Sequence, residues 1–184
     1  PQILAISFLY ELPFGPGKRF LSHGAVAGRI FGGWTFTAIH QYSSGVPIVL
    51  TANNTLPLFN STLRPNVVSG SSRLASNPGQ FNPNTERYIN PAAFTVPTPF
   101  TFGTSARSFT DLRAPFSLNE SWGAIKRTAL TERISLEFRA EFFNVFNRVV
   151  FGAPAANISA ANFGLISSQA NAPRQGQMAL RLQF

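Results

Sequence analysis

Residues 132–146 read ERISLEFRAEFFNVF, and their character alternates with a period of two. Ile134, Leu136, Phe138, Ala140, Phe142, Asn144 and Phe146 fall on one side, while Arg133, Ser135, Glu137, Arg139 and Glu141 fall on the other. A β-strand points successive side chains to opposite faces, so one face is apolar and aromatic and the other is a ladder of alternating charge. A strand of an ordinary globular sheet runs about five or six residues. A strand that crosses a bilayer needs about 9–11, with lipid on one side and a polar lumen on the other. Length and two-sidedness together favour the membrane strand. Two rival readings of the same residues are an amphipathic strand of a soluble sandwich and a Glu/Arg-rich helix, because LEFRAEFF contains good helix formers.

Four further segments carry a related pattern. Residues 2–12 place Leu4, Ile6, Phe8, Tyr10 and Leu12 on one face and stop at Pro13-Phe14-Gly15-Pro16-Gly17. From Trp34 to about residue 50, Trp34, Phe36, Ala38, His40 and Tyr42 share a face, with Trp34 and Tyr42 spaced like aromatics that anchor a strand at the two membrane interfaces. Residues 116–126 align Phe116, Leu118, Trp122 and Ala124, interrupted by Glu120. Residues 174–184 alternate Met178, Leu180, Leu182 and Phe184 with Gln177, Ala179, Arg181 and Gln183. The connector 18–33 leaves a short helical turn around Leu21–Ile30 open, and the turn 127–132 is tight.

Between the second and third of these strands, residues 51–115 are rich in Asn, Pro, Ser, Thr and Gly and keep no sustained period. Short strands are expected near Ala93–Val96 and Phe100–Phe102. So long a loop argues against a compact soluble domain. It suits an outer-membrane barrel, whose extracellular loops are long and periplasmic turns short. With the C-terminus in the periplasm, both long loops (51–115 and 152–173) fall outside and both shorter connectors inside. Bacterial barrels have an even number of strands, from about eight upward, and an open sheet edge in lipid is costly. The expected fold is therefore all-β: an antiparallel transmembrane β-barrel segment of about five long strands, incomplete by itself, with residues 1–184 as the C-terminal part of the barrel domain. The rival is a soluble β-sandwich binding or adhesion module.

Composition removes several function classes. No apolar run reaches the roughly 18 residues of a transmembrane helix, and with zero Cys there is no disulfide scaffold or thiolate metal site. The net charge of +8 comes from scattered Lys and Arg, without the stripe or motif of a nucleic-acid binder; anionic lipid or a cationic lumen explains it as well. Only His23 and His40 are available for acid–base chemistry. Neither stands near a nucleophile motif or a carboxylate cluster, so no enzyme activity, cofactor or metal is expected. The candidate lumen-facing residues are Arg133, Glu137, Arg139, Glu141 and Arg181. Candidate ligand contacts in the loop are Tyr88, Phe94, Phe100, Phe102, Arg107 and Arg113, against the simpler reading that those aromatics form the loop's own small core.

PFGPGKRFL, GGWTFTAIHQYSSGVPIVL, NPAAFTVP, FGTSARSFTDLRAP, LTERISLEFRAEFFNVFN and the closing ANFGLISSQANAPRQGQMALRLQF follow the order seen in TonB-dependent receptors. The chain most resembles the C-terminal barrel region of the Oar-like group, which carries an N-terminal carboxypeptidase-regulatory-like domain. One departure lies after Asn147, where the family often has His-Pro and this chain has Arg148-Val149-Val150 before Phe151-Gly152. The resemblance implies an active transporter in the outer membrane of a Gram-negative-type bacterium. Its partners would be outer-membrane lipid, a plug domain and TonB reached through N-terminal parts, and the barrel assembly machinery. That machinery would read Met178, Leu180, Leu182 and Phe184 as the C-terminal signal.

Overall fold

The computed structural model describes residues 2–22 and 25–184. Its wall strands are β1 (Ile3–Glu11), β2 (Trp34–Ser43), β5 (Ser117–Ala129), β6 (Ser135–Phe143) and β7 (Gln175–Gln183). They form one antiparallel five-stranded sheet in the order β1-β2-β5-β6-β7, which does not close on itself. The helix α1 (Ala25–Phe31) lies in the connector between β1 and β2, and β3 (Asn66–Val67) pairs with β4 (Phe94–Thr95) in the long connection after β2. Among the described residues no helix is long and apolar enough to cross a membrane. The chain divides into two compact units. One is the sheet with its near connectors (Ile3–Tyr42, Leu118–Val149, Ala172–Phe184), and the other is built chiefly from Ser43–Ser117 and Val150–Asn171.

In the sheet unit the alternation read from residues 132–146 becomes register. Leu136, Phe138 and Ala140 stand opposite Leu182, Leu180 and Met178, while Glu137, Arg139 and Glu141 stand opposite Arg181, Ala179 and Gln177. Directly opposed residues share a face, so the apolar and charged rows each run unbroken across β6 and β7. The apolar row continues through β2. Trp34 meets Phe138 edge-on at 6.5 Å, and His40 stacks on Trp122 at 6.3 Å. Near the start of β7, Gly176 is the register partner of Phe142, and a Cβ there would stand 3.1–3.2 Å from two Phe142 ring carbons. The ring occupies the space a side chain would take.

Several expected boundaries move, each for a local reason. β6 ends at Phe143 rather than running to residue 146, because Asn144 adopts a left-handed φ of 49°, which a short polar side chain tolerates better than most. Its carboxamide donates to the Arg148 and Ala172 carbonyls and accepts from the Arg148 N–H. Asn144 is therefore buried in the bend, off the apolar row. β5 is longer than expected and continues to Ala129, so the turn comprises residues 130–134, closed by Leu130 N–H to Ile134 C=O at 2.9 Å. Near the same end of β5, Gly33 (φ 72°) brings its backbone against the Arg127 carbonyl, and Arg127 N–H bonds the Gly33 carbonyl at 2.9 Å; a Cβ would strike that carbonyl. The open helical turn of the connector is α1, placed at residues 25–31. β2 stops at Ser43, and Pro47 instead bridges to Arg113.

The second unit has its own core. Leu50, Tyr88, Ile89, Phe94, Leu112 and Phe163 are buried together. The aromatic contacts are mostly edge-on, as Phe81–Tyr88 (5.3 Å) and Phe94–Phe163 (6.3 Å) show. The two long connections are tied to each other by Thr51↔Asn157 pairing and by Ile158 N–H to Thr51 C=O at 2.9 Å. A strand forms at residues 94–95, within the expected 93–96, but none forms at 100–102, where Phe100 takes φ 65°. Burial raises the Tyr88 phenol above its ordinary value of 10.0, and its O–H donates to the Arg113 carbonyl at 2.8 Å. A raised folded-state pKa favours the neutral phenol, so this contribution is intact below about pH 10 and disappears as pH climbs through the folded value. The unit is expected to lose stability in that alkaline window, and Tyr88→Phe should flatten the alkaline limb of its pH–stability curve while costing about 1 kcal/mol at neutral pH for the lost hydrogen bond.

Candidate functional site

The charged face of β5, β6 and β7 is the densest gathering of ionic groups on the sheet. Strand pairing places Arg127 opposite Glu137 on one side and Arg181 opposite it on the other. The Glu137 carboxylate accepts from Arg127 Nε at 2.8 Å and from Arg139 Nη2 at 3.2 Å. Arg139 also faces Glu141 at 3.7 Å, and Glu141 accepts from Gln177 Nε2 at 2.5 Å. Glu137, Arg139, Glu141, Gln177 and Arg181 line an open depression of about 390 Å³. The carboxylate of Glu137 is nearly covered, whereas its arginine partners are 71% and 44% exposed. Ion pairs with such wet partners are weak and exchangeable. Chemically the face can hold a complementary polar surface and let it go.

Of the expected lumen residues, Glu137, Arg139, Glu141 and Arg181 meet here. Arg133 does not: it sits in the 130–134 turn, where its N–H bonds Thr131 Oγ1. Arg127, read as the start of the turn, takes the place assigned to it. Only the extra length of β5 puts Arg127 in the ladder, and Gln177 joins it as an uncharged donor to Glu141.

The loop candidates separate by burial. Tyr88 and Phe94 are core residues of the second unit and offer no free surface for a ligand. Arg113 is committed to structure, its Nε donating to the Gly45 carbonyl at 2.8 Å. Phe100, Phe102 and Arg107 stay exposed, with Phe102 edge-on to Phe59 at 5.4 Å.

A second polar group lies on the apolar face of the sheet, and sequence reading missed its organisation. Glu120, taken there as a blemish in an apolar row, is 1% exposed and accepts from Arg148 Nε at 3.0 and 3.1 Å. The Tyr42 hydroxyl also interacts with this carboxylate. His40 Nδ1 is 2.9 Å from that hydroxyl, and Trp122 Nε1–H donates to His40 Nε2 at 3.1 Å. An indole N–H only donates, so Nε2 is the acceptor and the neutral ring carries its proton on Nδ1, toward Tyr42. Both ring nitrogens of His40 are thus occupied by structural partners; His23 lies outside the described residues. Among the described residues no cluster of His, Cys, Asp and Glu has the makings of a metal site.

The bare apolar row bears on what surrounds the sheet. Leu180, Leu182, Met178, Phe36 and Phe8 are all exposed, where a sandwich would cover them with a second sheet. A family model described as an outer membrane beta barrel domain matches residues 1–177. The chain belongs to the outer membrane beta barrel domain family. Searches among curated proteins and solved structures returned no match. In this family setting the five strands are barrel wall in the outer membrane. A soluble sandwich module is set aside by the same match.

Proposed function

We propose that this outer-membrane barrel wall belongs to a TonB-dependent receptor of the Oar-like group, working in active uptake or export of a large or scarce ligand and carrying no catalysis. The observation that carries the reading is the wet ion-pair ladder centred on Glu137: it is a polar surface facing a lumen, suited to hold a plug domain reversibly. The sequence resemblance runs in the same direction. In this reading the two long connections are extracellular, since they fold together as one unit and long loops belong to that side. Phe100, Phe102 and Arg107 are then the residues left for ligand contact. Lipid, the barrel assembly machinery, the plug and TonB are the partners.

The test is a photo-crosslinker at Arg181 in the native polypeptide in cells. An intramolecular crosslink to an N-terminal plug, with a yield that changes when TonB is deleted, is the expected result. Arg139→Gln combined with Glu141→Gln should lower that yield. No crosslink, or one indifferent to both TonB and the double substitution, would remove the receptor reading and leave a passive barrel.

A further inference from the structure

The connector between β1 and β2 carries an apolar surface that the barrel wall does not use internally. Val26 is 72% and Phe31 56% exposed, and Phe20, Leu21 and Ile30 are exposed beside them. The C-terminal end of α1 is pinned to the apolar row of the sheet by two side chains. Trp34 Nε1–H donates to the Ile30 carbonyl at 3.1 Å. Lys126, the register partner of Phe138, reaches the carbonyls of Arg29, Ile30 and Gly32 at 2.9, 2.6 and 3.0 Å. The ammonium also lies 5.0 Å from the Trp34 ring centroid. A cation on the last carbonyls of a helix satisfies acceptors that have no partner within it, and here it allows a lysine to sit in an apolar row. Residues 13–33 contain Lys18, Arg19 and Arg29 and no acid; Lys18 pairs with Glu11 at the end of β1 at 2.7 Å, which leaves Arg19 and Arg29 as the cations without a carboxylate in the segment.

We infer that α1 and the 20–21 turn form a foot that lies in the membrane–water boundary of the periplasmic leaflet, with its apolar side chains among the upper acyl chains and its cations among anionic phospholipid head groups. Three observations converge. The foot is continuous with the apolar row through Trp34 and Lys126. Trp34 is the first residue of β2, at a strand end where a wall strand carries its interfacial indoles. An apolar surface edged by Arg19 and Arg29, with Lys18 already paired to Glu11, matches anionic lipid, as in other interfacial helices. The inference rests on the wall reading of the sheet, extended to a segment outside it.

The chain has no cysteine, so single probes are readily placed. An environment-sensitive fluorophore would be attached at Val26→Cys, Ile30→Cys, Leu180→Cys and Leu58→Cys in the native polypeptide. Each variant would be refolded into phosphatidylethanolamine/phosphatidylglycerol vesicles, with heat-modifiable gel mobility confirming the folded state. Lipids with nitroxides at shallow or deep acyl positions serve as quenchers. The expected result is blue-shifted emission at 26 and 30 with several-fold stronger quenching by the shallow nitroxide than at Leu58, and quenching by the deep nitroxide at Leu180. If 26 and 30 behave like Leu58 while Leu180 is quenched, the foot is overturned and the wall stands. If Leu180 is also unquenched, the wall reading falls and the foot with it.

Discussion

Arg148→Ala is expected to destabilise the sheet unit by about 3 kcal/mol, near the lower end of what breaking a buried ion pair costs. The carboxylate of Glu120 is 1% exposed on the apolar face of the sheet, and Arg148 is its cationic partner at 3.0 Å. Removing the guanidinium leaves a covered charge without its cation, an expensive state. The lower end of the range applies because the arginine itself is 44% exposed and part of its solvation is never lost. Replacing both residues, as Glu120→Leu with Arg148→Leu, should recover most of the loss, since a buried pair exchanged for apolar side chains is often neutral. Urea unfolding in vesicles followed by the fluorescence of Trp34 and Trp122 reads both. An Arg148→Ala change within about 0.5 kcal/mol, the range of ordinary surface substitutions, would show that Glu120 is held neutral or is hydrated.

The second large effect falls in the other unit. Phe94→Ala should cost the loop unit about 3–5 kcal/mol, the range for deleting a buried aromatic, because Phe94 is 3% exposed and packs on Phe163 and Phe109. The measurement is limited proteolysis of intact cells or proteoliposomes: cleavage within residues 43–117 should accelerate sharply. Phe100→Ala, at a side chain 70% exposed, should leave that rate unchanged and stay within about 0.5 kcal/mol. Equal sensitivity of the two variants would mean that the core described for this unit is not what holds it.

What the chain displays openly is its period. The five wall strands, their facing and the pairing of Glu137, Arg139, Glu141 and Arg181 on one side follow from alternation over about ten residues at a time, a signal that burial on one face enforces. Boundaries were less legible because they depend on single side chains with tertiary partners. Asn144 ends β6 through the carbonyls of Arg148 and Ala172, and Arg133 drops out of the ladder because β5 is longer than its clean alternation. That the loop aromatics pack into their own small core was legible, and Tyr88 and Phe94 bear it out; which residues meet there was not. Tyr88, Phe94 and Phe163 are brought together by pairing between distant short pieces, which leaves no local period. Position 148 marks the point where the sequence departs from the pattern of the receptors it resembles, and the structure gives the departing residue the task of neutralising Glu120.

The ring of Phe142 over Gly176 has a consequence for how the wall is completed. A strand whose pairing is uncertain by one residue would exchange its leucines and its arginine between the two faces of the sheet. The aromatic seated in the gap left by a glycine, a recurring device for fixing register, blocks that slip at the start of β7 before any further neighbour is present. The stagger of a closed barrel accumulates from such pairwise registers. A local contact between one ring and one missing side chain therefore helps decide the tilt, and with it the bore, of a cylinder that neither residue spans.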